Sequence, residues 1–326
     1  MPDFNRRELL TSTTIGSAAA LAGAVFPASA LAENADENDR PRQVPFYRTT
    51  LGDAEITIVS DGRITFENSF FFPDTPKEDL EAVLTRAYRP SDLIHLPTNA
   101  MVVDINGTRV LIDTGDGGKF QPTSGRLAGN LHDAGIDPAS VDAVVFTHLH
   151  PDHLWGVTDA ANEALIFPNA RFIAQQDEHA FWTNPDLADQ MPSEEFRQLT
   201  LATQAHLAMI EERLELVEAE ALPGITMIPT PGHTPGHAAL MMESAGETLL
   251  SLGDVITDPI TAFEKPEWQL GVDFDPQASA RTRAGLLDRL ASDRQRSFGF
   301  HLPWPGLGHV GRDGDRYRWY PETWVM

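Results

Sequence analysis

Short alternating or β-branched apolar segments recur along the chain, separated by Gly, Asn and Asp. Alternation of this kind predicts half-buried strands, and Gly-Asp, Asn-Gly or Asp-Gly between two of them predicts a hairpin. The sequence therefore predicts hairpins from 47–51 with 55–60, 99–105 with 108–112, 238–242 with 248–252, and around Asp313-Gly314. Further strands are predicted at 141–146, 172–174, 225–228 and 297–300, and a turn at Asp61-Gly62.

Apolar residues three and four positions apart predict the helices. These helices cover residues 77–88, 124–134, 176–182, 193–217 and 276–290. Pro76 precedes the first helix, Gly135 closes the second, and Ser193 caps the fourth. Because hairpins dominate each half and helices are interleaved, the predicted fold is α/β: two packed sheets with helices outside, in four αββα layers.

The first 32 residues have the pattern of an export signal. Arg6-Arg7 is followed by leucines, a mild apolar run at 15–26 and A-x-A sequences at 28–32. This pattern predicts a twin-arginine signal peptide over 1–32, and hence a periplasmic or secreted protein. A frayed cytosolic extension is the alternative. The charged residues 33–45 predict a disordered lead-in, which leaves 46–326 as one domain.

Composition narrows the chemistry. The 326 residues carry a formal net charge of -24, and an acidic surface of this kind repels phosphate backbones, which argues against a nucleic-acid partner. The sequence contains no cysteine, which excludes disulfides, thiolate metal ligands and a cysteine nucleophile. The apolar run at 15–26 is too short and weakly apolar to span a membrane. Because the sequence has no thiolate ligands, a metal bound by its side chains is expected to be held by histidine and carboxylate.

One short stretch supplies such ligands. Directly after the predicted strand 141–146 come His148, His150, Asp152 and His153. Two side chains at positions i and i+2 after the end of a strand, here His148 and His150, can bind one cation. The next two, Asp152 and His153, can bind a second. Imidazole and carboxylate without thiolate suit zinc first. A histidine-rich solvated loop is the structural alternative.

Three later strand ends carry similar residues: His233, Asp254 and His301. His148, His150 and His233 could form one site and Asp152, His153 and His301 a second, with Asp254 bridging both. That arrangement leaves each metal an open position and a shared water, as in a catalytic site. Asp113, after the strand 108–112, is predicted to accept a hydrogen bond from a metal ligand and so to fix the orientation of that ligand. Taken singly, each of these residues could instead be a turn or packing residue.

The motif series resembles that of the metallo-β-lactamase superfamily. The shared motifs are H-x-H-x-D-H at 148–153, Asp113-Thr114-Gly115, P-G-H-T-P-G-H at 231–237, Gly253-Asp254 and the late His301. The resemblance covers residues 46 to about 320 and implies an αββα sandwich with two Zn²⁺ ions, for which Co²⁺ or Mn²⁺ can substitute.

Other stretches resemble methyl parathion hydrolase and its lactonase and arylesterase relatives. They lie at 51–57, 60–62, 122–127, 167–170 and 301–309. This closer resemblance implies that Phe120, Trp182 and, as a looser match, Phe196 line the substrate pocket. Core packing is the alternative for all three aromatic residues.

The resemblance implies a hydrolase in which a metal-bridging hydroxide attacks a small ester, lactone or organophosphate triester. Asp254, with Asp152, is the implied catalytic carboxylate. An N-acyl homoserine lactone lactonase, which quenches quorum signals, is the first alternative. A mononuclear iron persulfide dioxygenase and a non-catalytic metal-binding protein are alternatives of other classes. Apolar helix faces also favour a homodimer.

Overall fold

Two seven-stranded sheets organise the computed structural model, which describes residues 44–160 and 164–323. The first sheet contains, in spatial order, β1 (Phe46–Leu51), β2 (Ala54–Glu67), β3 (Leu93–Ile105), β4 (Thr108–Ile112), β5 (Ala143–Val145), β6 (Arg171–Gln175) and β7 (Leu214–Val217). The second contains β14 (Arg316–Pro321), β13 (Leu307–Asp313), β12 (Arg296–Phe298), β11 (Glu247–Ser251), β10 (Ala238–Ser244), β9 (Ile225–Pro229) and β8 (Glu220–Leu222).

The helices of the described chain connect these strands. They are α1 (Asn68–Phe71), α2 (Lys77–Arg86), α3 (Leu127–Asp133), α4 (Pro151–Leu154), α5 (Gln176–Trp182), α6 (Glu194–Ile210), α7 (Thr261–Glu264) and α8 (Pro276–Asp293). Single 3₁₀ turns lie at Pro138–Ser140, Trp155–Val157, Ala188–Gln190, Glu211–Arg213 and Gly253–Val255. None of the helices in the described ranges is long and apolar enough to cross a bilayer.

Three apolar layers hold the sheets and helices together. Met101 and Val103 of β3 point between the sheets, where they join Leu240 and Phe298. The intervening Val102 points to the other face and joins the first helical layer. Because successive strand residues face opposite ways, β3 is buried on both sides. Leu287 and other apolar residues of α8 cover the outer face of the second sheet. The predicted αββα sandwich is confirmed.

Strand direction brings the polar loops to one place. Strands β4 to β7 run parallel to one another, and β11 runs parallel to β12. Parallel neighbours end at the same edge of a sheet, and crevices outside those ends hold ligands in open α/β sheets. Asp113 follows β4, the 148–153 loop follows β5, Asp254 follows β11, and His301 follows β12.

Several predicted boundaries were wrong. Asp61-Gly62 is not a turn, because β2 continues through it as a bulge and ends at Glu67. The stretch predicted as one helix over 193–217 divides: α6 ends at Ile210, and 214–217 forms the edge strand β7. The helix predicted from 124 begins at Leu127, whose backbone N–H donates a hydrogen bond to Asp61 Oδ1.

The predicted signal peptide and all but two residues of the predicted lead-in lie outside the described residues. Export therefore stays a prediction. The first strand of the described residues, β1, begins at Phe46, and the predicted domain bounds stay a prediction.

Candidate metal centre

The structure brings all seven predicted ligands together. His148 and His150 lie on the loop after β5, and Asp152 and His153 lie on the short helix α4, which begins with Pro151. Gly156 closes this segment against the Asp113 turn, since a Cβ there would lie 1.9 Å from the Thr114 carbonyl oxygen. The glycine that ends the motif is thus required by close packing.

Three imidazoles form the first group. His150 Nδ1 lies 3.0 Å from His148 Nε2 and 2.8 Å from His233 Nε2. His148 and His233 are buried, and His150 is half-buried. These three nitrogens lie within 4.8 Å of one another, a spacing that allows one cation to be held between them.

Asp152, His153 and His301 form the second group. Asp152 Oδ2 lies 3.3 Å from His301 Nε2 and 3.7 Å from His153 Nε2. All three side chains are buried. Nitrogen and oxygen ligands of this kind suit a borderline divalent cation.

Asp254 lies between the two groups. Its Oδ1 is 3.3 Å from His153 Nε2, and its Oδ2 is 3.4 Å from His233 Nε2 and 3.2 Å from His301 Nε2. One carboxylate therefore reaches ligands of both groups. The arrangement is that of a dinuclear metal site.

Several ligand atoms lack hydrogen-bond partners, and bound cations would take the place of those partners. Asp152 Oδ2, His153 Nε2 and Asp254 Oδ1 are buried, and within the described residues none makes a hydrogen bond of good geometry. Their oppositely charged partners in the cluster lie 3.3 to 3.7 Å away, which is longer than a good hydrogen bond. Buried polar atoms normally have partners, and two cations would supply them.

Burial and charge set the protonation of the ligands. Burial lowers the pKa of His148 and of His150 well below the usual value, which keeps both imidazoles neutral with a free lone pair. Burial also opposes the charge on His153, but the carboxylates of Asp254, Asp113 and Asp152 outweigh it and raise its pKa. The same balance raises the pKa of His301 to about 9, chiefly through Asp254. Cations bound here would replace those protons.

Second partners fix the orientation of the ligands. Asp113 Oδ2 lies 2.9 Å from His153 Nδ1, while Oδ1 accepts the Thr147 backbone N–H at 2.9 Å. The Pro97 carbonyl oxygen lies 2.7 Å from His301 Nδ1. Such partners set the tautomer and leave Nε2 facing the metal. The structure places Asp113 where the sequence predicted a supporting acid.

Asp273 has a similar role that the sequence did not reveal. Its Oδ1 lies 2.8 Å from His233 Nδ1, and its Oδ2 lies 3.4 Å from the buried Arg283 guanidinium. Asp275, two residues on, is the N-cap of α8 and accepts the Ala278 N–H. The Asp-Pro pair at 275–276 signals a helix start, but no local pattern separates Asp273 from an ordinary loop acid.

His237 and Glu178 also support the centre. His237 Nε2 accepts the Asp254 backbone N–H at 2.9 Å, so this histidine braces Asp254 in addition to its own turn. Burial lowers the pKa of His237 to about 3, which keeps that acceptor available. Glu178 of α5 is buried and accepts four hydrogen bonds.

A cavity of about 760 Å³ contains five of the ligands in its lining. Phe120, Trp182 and Phe196, the predicted pocket aromatics, all lie on its surface, together with Phe70 and Phe274. Trp182 packs edge-on to the His150 ring at 5.7 Å, and Phe274 stacks on the same ring at 5.8 Å. A mainly apolar cavity with several aromatic side chains in its lining therefore opens directly onto the metal ligands.

Comparison with known proteins identifies the family of this chain. A family model described as the metallo-beta-lactamase superfamily matches residues 93–317. An N-acyl homoserine lactonase from a Bacillus species is 26% identical over 184 residues, which cover 50% of this chain and 66% of that protein. The chain thus spans about two thirds of that relative's length.

Two solved structures are similar over most of the chain. AidC, a dizinc quorum-quenching lactonase solved with the product N-hexanoyl-L-homoserine, has 31% identity and a TM-score of 0.80, covering 86% of this chain and 98% of AidC. The hydrolase AbOPH of the beta lactamase superfamily has 29% identity and a TM-score of 0.81, covering 88% of this chain and all of AbOPH (100%).

Proposed function

The chain belongs to the metallo-beta-lactamase superfamily, and we propose from that premise that it is a dinuclear metal-dependent hydrolase that opens lactone rings. N-acyl homoserine lactones are the substrate class best supported, since relatives with that activity in their names match the chain. Lactone hydrolysis, the alternative from the sequence, thus has more support than hydrolysis of organophosphate triesters, which stays a prediction.

One observation carries the proposal: Asp254 lies between two groups of three ligands each, and five of these seven side chains line an apolar cavity. A lactone places its polar ester at the ligands, and an acyl chain gains free energy by leaving water in the cavity. The lining is mainly apolar apart from the metal ligands and a few hydroxyl and amide groups, so a substrate with one polar end and one apolar end fits it best.

The protein's own groups have distinct tasks. Two divalent cations held here would supply Lewis acidity and a water that ionises near neutral pH. Burial opposes the charge on Asp254, but His301 and His153 outweigh it and lower its pKa, which keeps the carboxylate ionised as a ligand. Because this carboxylate reaches ligands of both groups, we assign to it the transfer of a proton from the attacking water to the leaving alcohol. Ring opening then adds one water and yields a hydroxy acid.

Thr257 is placed to contact the substrate. It is buried, lines the cavity three residues after Asp254, and its Oγ1 has no hydrogen-bond partner among the described residues. A buried hydroxyl without a partner is costly, so we assign it a hydrogen bond to a substrate oxygen.

Aryl esters and phosphotriesters are the second candidate class. The ring of Trp182 lies 5.8 Å from that of Phe274, and Phe120 lines the same cavity. Aromatic rings in this arrangement can pack edge-to-face against an aryl leaving group. This wall is the specific observation that keeps methyl parathion hydrolase-like activity among the proposals.

The deciding experiment is a substrate panel on the purified, metal-analysed protein. Acyl homoserine lactones of several chain lengths, an aryl ester and a dialkyl aryl phosphotriester are compared before and after chelation. We expect lactone hydrolysis that disappears on chelation and returns with Zn²⁺, Co²⁺ or Mn²⁺. Full activity after exhaustive chelation, or hydrolysis of no substrate, would overturn the proposal.

Metal analysis of the same sample separates the other classes. Two zinc ions per chain are expected. A single iron would instead favour the persulfide dioxygenase, and a metal-loaded protein without any turnover would favour a binding protein.

A further inference from the structure

Glu178 is a buried acid, and each of its two carboxylate oxygens accepts two hydrogen bonds. Its Oε1 accepts the Leu149 backbone N–H at 2.9 Å and the Trp182 indole N–H at 2.8 Å. Its Oε2 accepts the Thr234 hydroxyl at 2.6 Å and the Gly236 backbone N–H at 3.1 Å. The side chain is 1% exposed, so these four donors replace the water that an ionised acid requires.

The four donors belong to three segments that meet at the first metal group. Leu149 lies between His148 and His150, and Thr234 directly follows His233. Trp182 packs against the His150 ring. The carboxylate therefore ties together the two loops that carry the three-histidine group.

Close packing reinforces this connection. A Cβ on Gly236 would lie 2.0 Å from the Glu178 backbone nitrogen, so the 231–237 turn rests directly on the first turn of α5. Gln175 in turn accepts the Glu178 backbone N–H and caps that helix. The backbone of Glu178 is thus held on both sides, and its side chain has little freedom to follow a displaced loop.

The second metal group does not depend on this carboxylate in the same way. Asp152 and His153 lie on α4, and His301 follows β12 and is held by the Pro97 carbonyl. None of the four donors to Glu178 adjoins any of these three ligands along the chain.

We propose that Glu178 is a positioning residue that sets the cation affinity of the His148, His150 and His233 group and leaves that of the other group unchanged. The inference rests on the dinuclear centre of the proposed function. A carboxylate is needed because each of its oxygens accepts at least one N–H group: whichever position a glutamine filled with NH₂, that NH₂ would face an N–H that it cannot accept. Rigid support of ligands typically changes metal affinity by about 10- to 100-fold.

The test measures Zn²⁺ affinity with a competing chromophoric chelator, in two backgrounds. His301→Ala weakens the second group and reports on the first, whereas His233→Ala does the reverse. Adding Glu178→Gln should weaken binding about 10-fold in the His301→Ala background and leave it unchanged in the His233→Ala background. Equal losses in both backgrounds, or no loss in either, would overturn the inference.

Two further variants complete the design. Thr234→Val removes a single donor to Glu178 and should weaken the same group less, which provides a second test if Glu178→Gln does not fold. Asp61→Asn is the matched control: Asp61 is also buried and accepts three backbone N–H groups, but none of them adjoins a metal ligand. Its zinc affinity should equal that of the unaltered protein, and a comparable loss there would also overturn the inference.

The outcome is separate from that of the proposed function. If the unaltered protein binds fewer than two cations, the dinuclear proposal itself fails. If it binds two and Glu178→Gln retains both affinities, only the role of Glu178 fails.

Discussion

The cavity has two parts that are held in place by different forces. We call the metal ligands and their supporting residues the floor, and we call the aromatic residues Phe70, Phe120, Trp182, Phe196 and Phe274 the wall. On the floor, His153, His233 and His301 each have a second ring nitrogen within 2.9 Å of an oxygen: Asp113, Asp273 and the Pro97 carbonyl. On the wall, the contacts are between rings, such as Phe70 with Phe196 at 6.0 Å and Phe181 with Phe274 at 4.8 Å. Phe274 remains 37% exposed.

This difference separates chemistry from substrate choice. Hydrogen bonds are directional, so the floor positions its ligands narrowly. Dispersion between rings tolerates small shifts, and the wall residues come from α1, the loop between β4 and α3, α5, α6 and the segment before α8. We therefore expect changes on the floor to affect every substrate equally and changes on the wall to affect substrates differently.

Removing a floor ligand should give the largest effect. His150→Ala deletes one of three imidazoles from the first group, and it should reduce turnover of every substrate by more than about 100-fold, since even supporting partners are worth that much. His150 is half-buried, so the fold should survive, as circular dichroism would show. A loss confined to one substrate would mean that His150 belongs functionally to the wall.

Removing the support of a ligand should have the next largest effect. Asp273→Asn weakens the hold on His233 and leaves the 1%-exposed Arg283 side chain without its counter-charge. We expect about 10- to 100-fold weaker metal binding and a loss of about 3 kcal/mol in unfolding free energy. Chelator competition and denaturant unfolding measure these two quantities.

Asp275→Asn is the matched control for Asp273→Asn. It changes an acid two residues away that caps α8, and Asn caps helices about as well as Asp. Unchanged metal binding in Asp273→Asn, or an equal loss in the control, would contradict the role of Asp273.

The floor was largely predictable from sequence because its ligands stand at strand ends within short motifs. His148 to His153 form one motif after a buried strand, and the remaining ligands each follow another strand. The two supports outside these motifs, Asp273 and Glu178, were missed. Each acts through a contact across 40 or more residues, and neither spacing nor periodicity records such a distance.

The wall was less predictable. Phe120, Trp182 and Phe196 were placed by resemblance alone, whereas Phe70 and Phe274 carried no signal. The error at 193–217 has the same origin: Leu214 to Val217 continue the apolar spacing of α6, but pairing with β6 makes them a strand. Tertiary contacts decided both cases.

Trimming the wall should give a smaller and selective effect. Phe196 is half-buried and stacks on Phe70, so Phe196→Ala removes about 1–1.5 kcal/mol of apolar contact. For long-chain lactones KM should rise about 10-fold, while turnover of the shortest lactone and metal content remain unchanged. Tyr88→Ala, at a side chain 97% exposed, is the control. An equal loss for long and short chains would remove Phe196 from the substrate wall.

The smallest expected effect on catalysis concerns the loop that carries Phe120, where the change is in the pH dependence of stability. Asp61 accepts the backbone N–H groups of Asp116, Gly125 and Leu127, which closes this loop. Burial, together with the charge of Asp116, raises the pKa of Asp61 to about 8. The unfolded chain would titrate this group near pH 4, so only the folded protein keeps its proton between about pH 4 and 8.

Stability must then fall as the pH rises through that window, by up to about 1.4 kcal/mol per pH unit from this group. Asp61→Asn mimics the protonated acid and should remove that slope. Denaturant unfolding of both proteins across the window measures the difference, with metal content as the reference for the floor. Parallel pH profiles would mean that Asp61 is ionised throughout. A flatter profile in the variant, with metal content unchanged, would show that Asp61 and not the metal ligands produces this part of the pH dependence of stability.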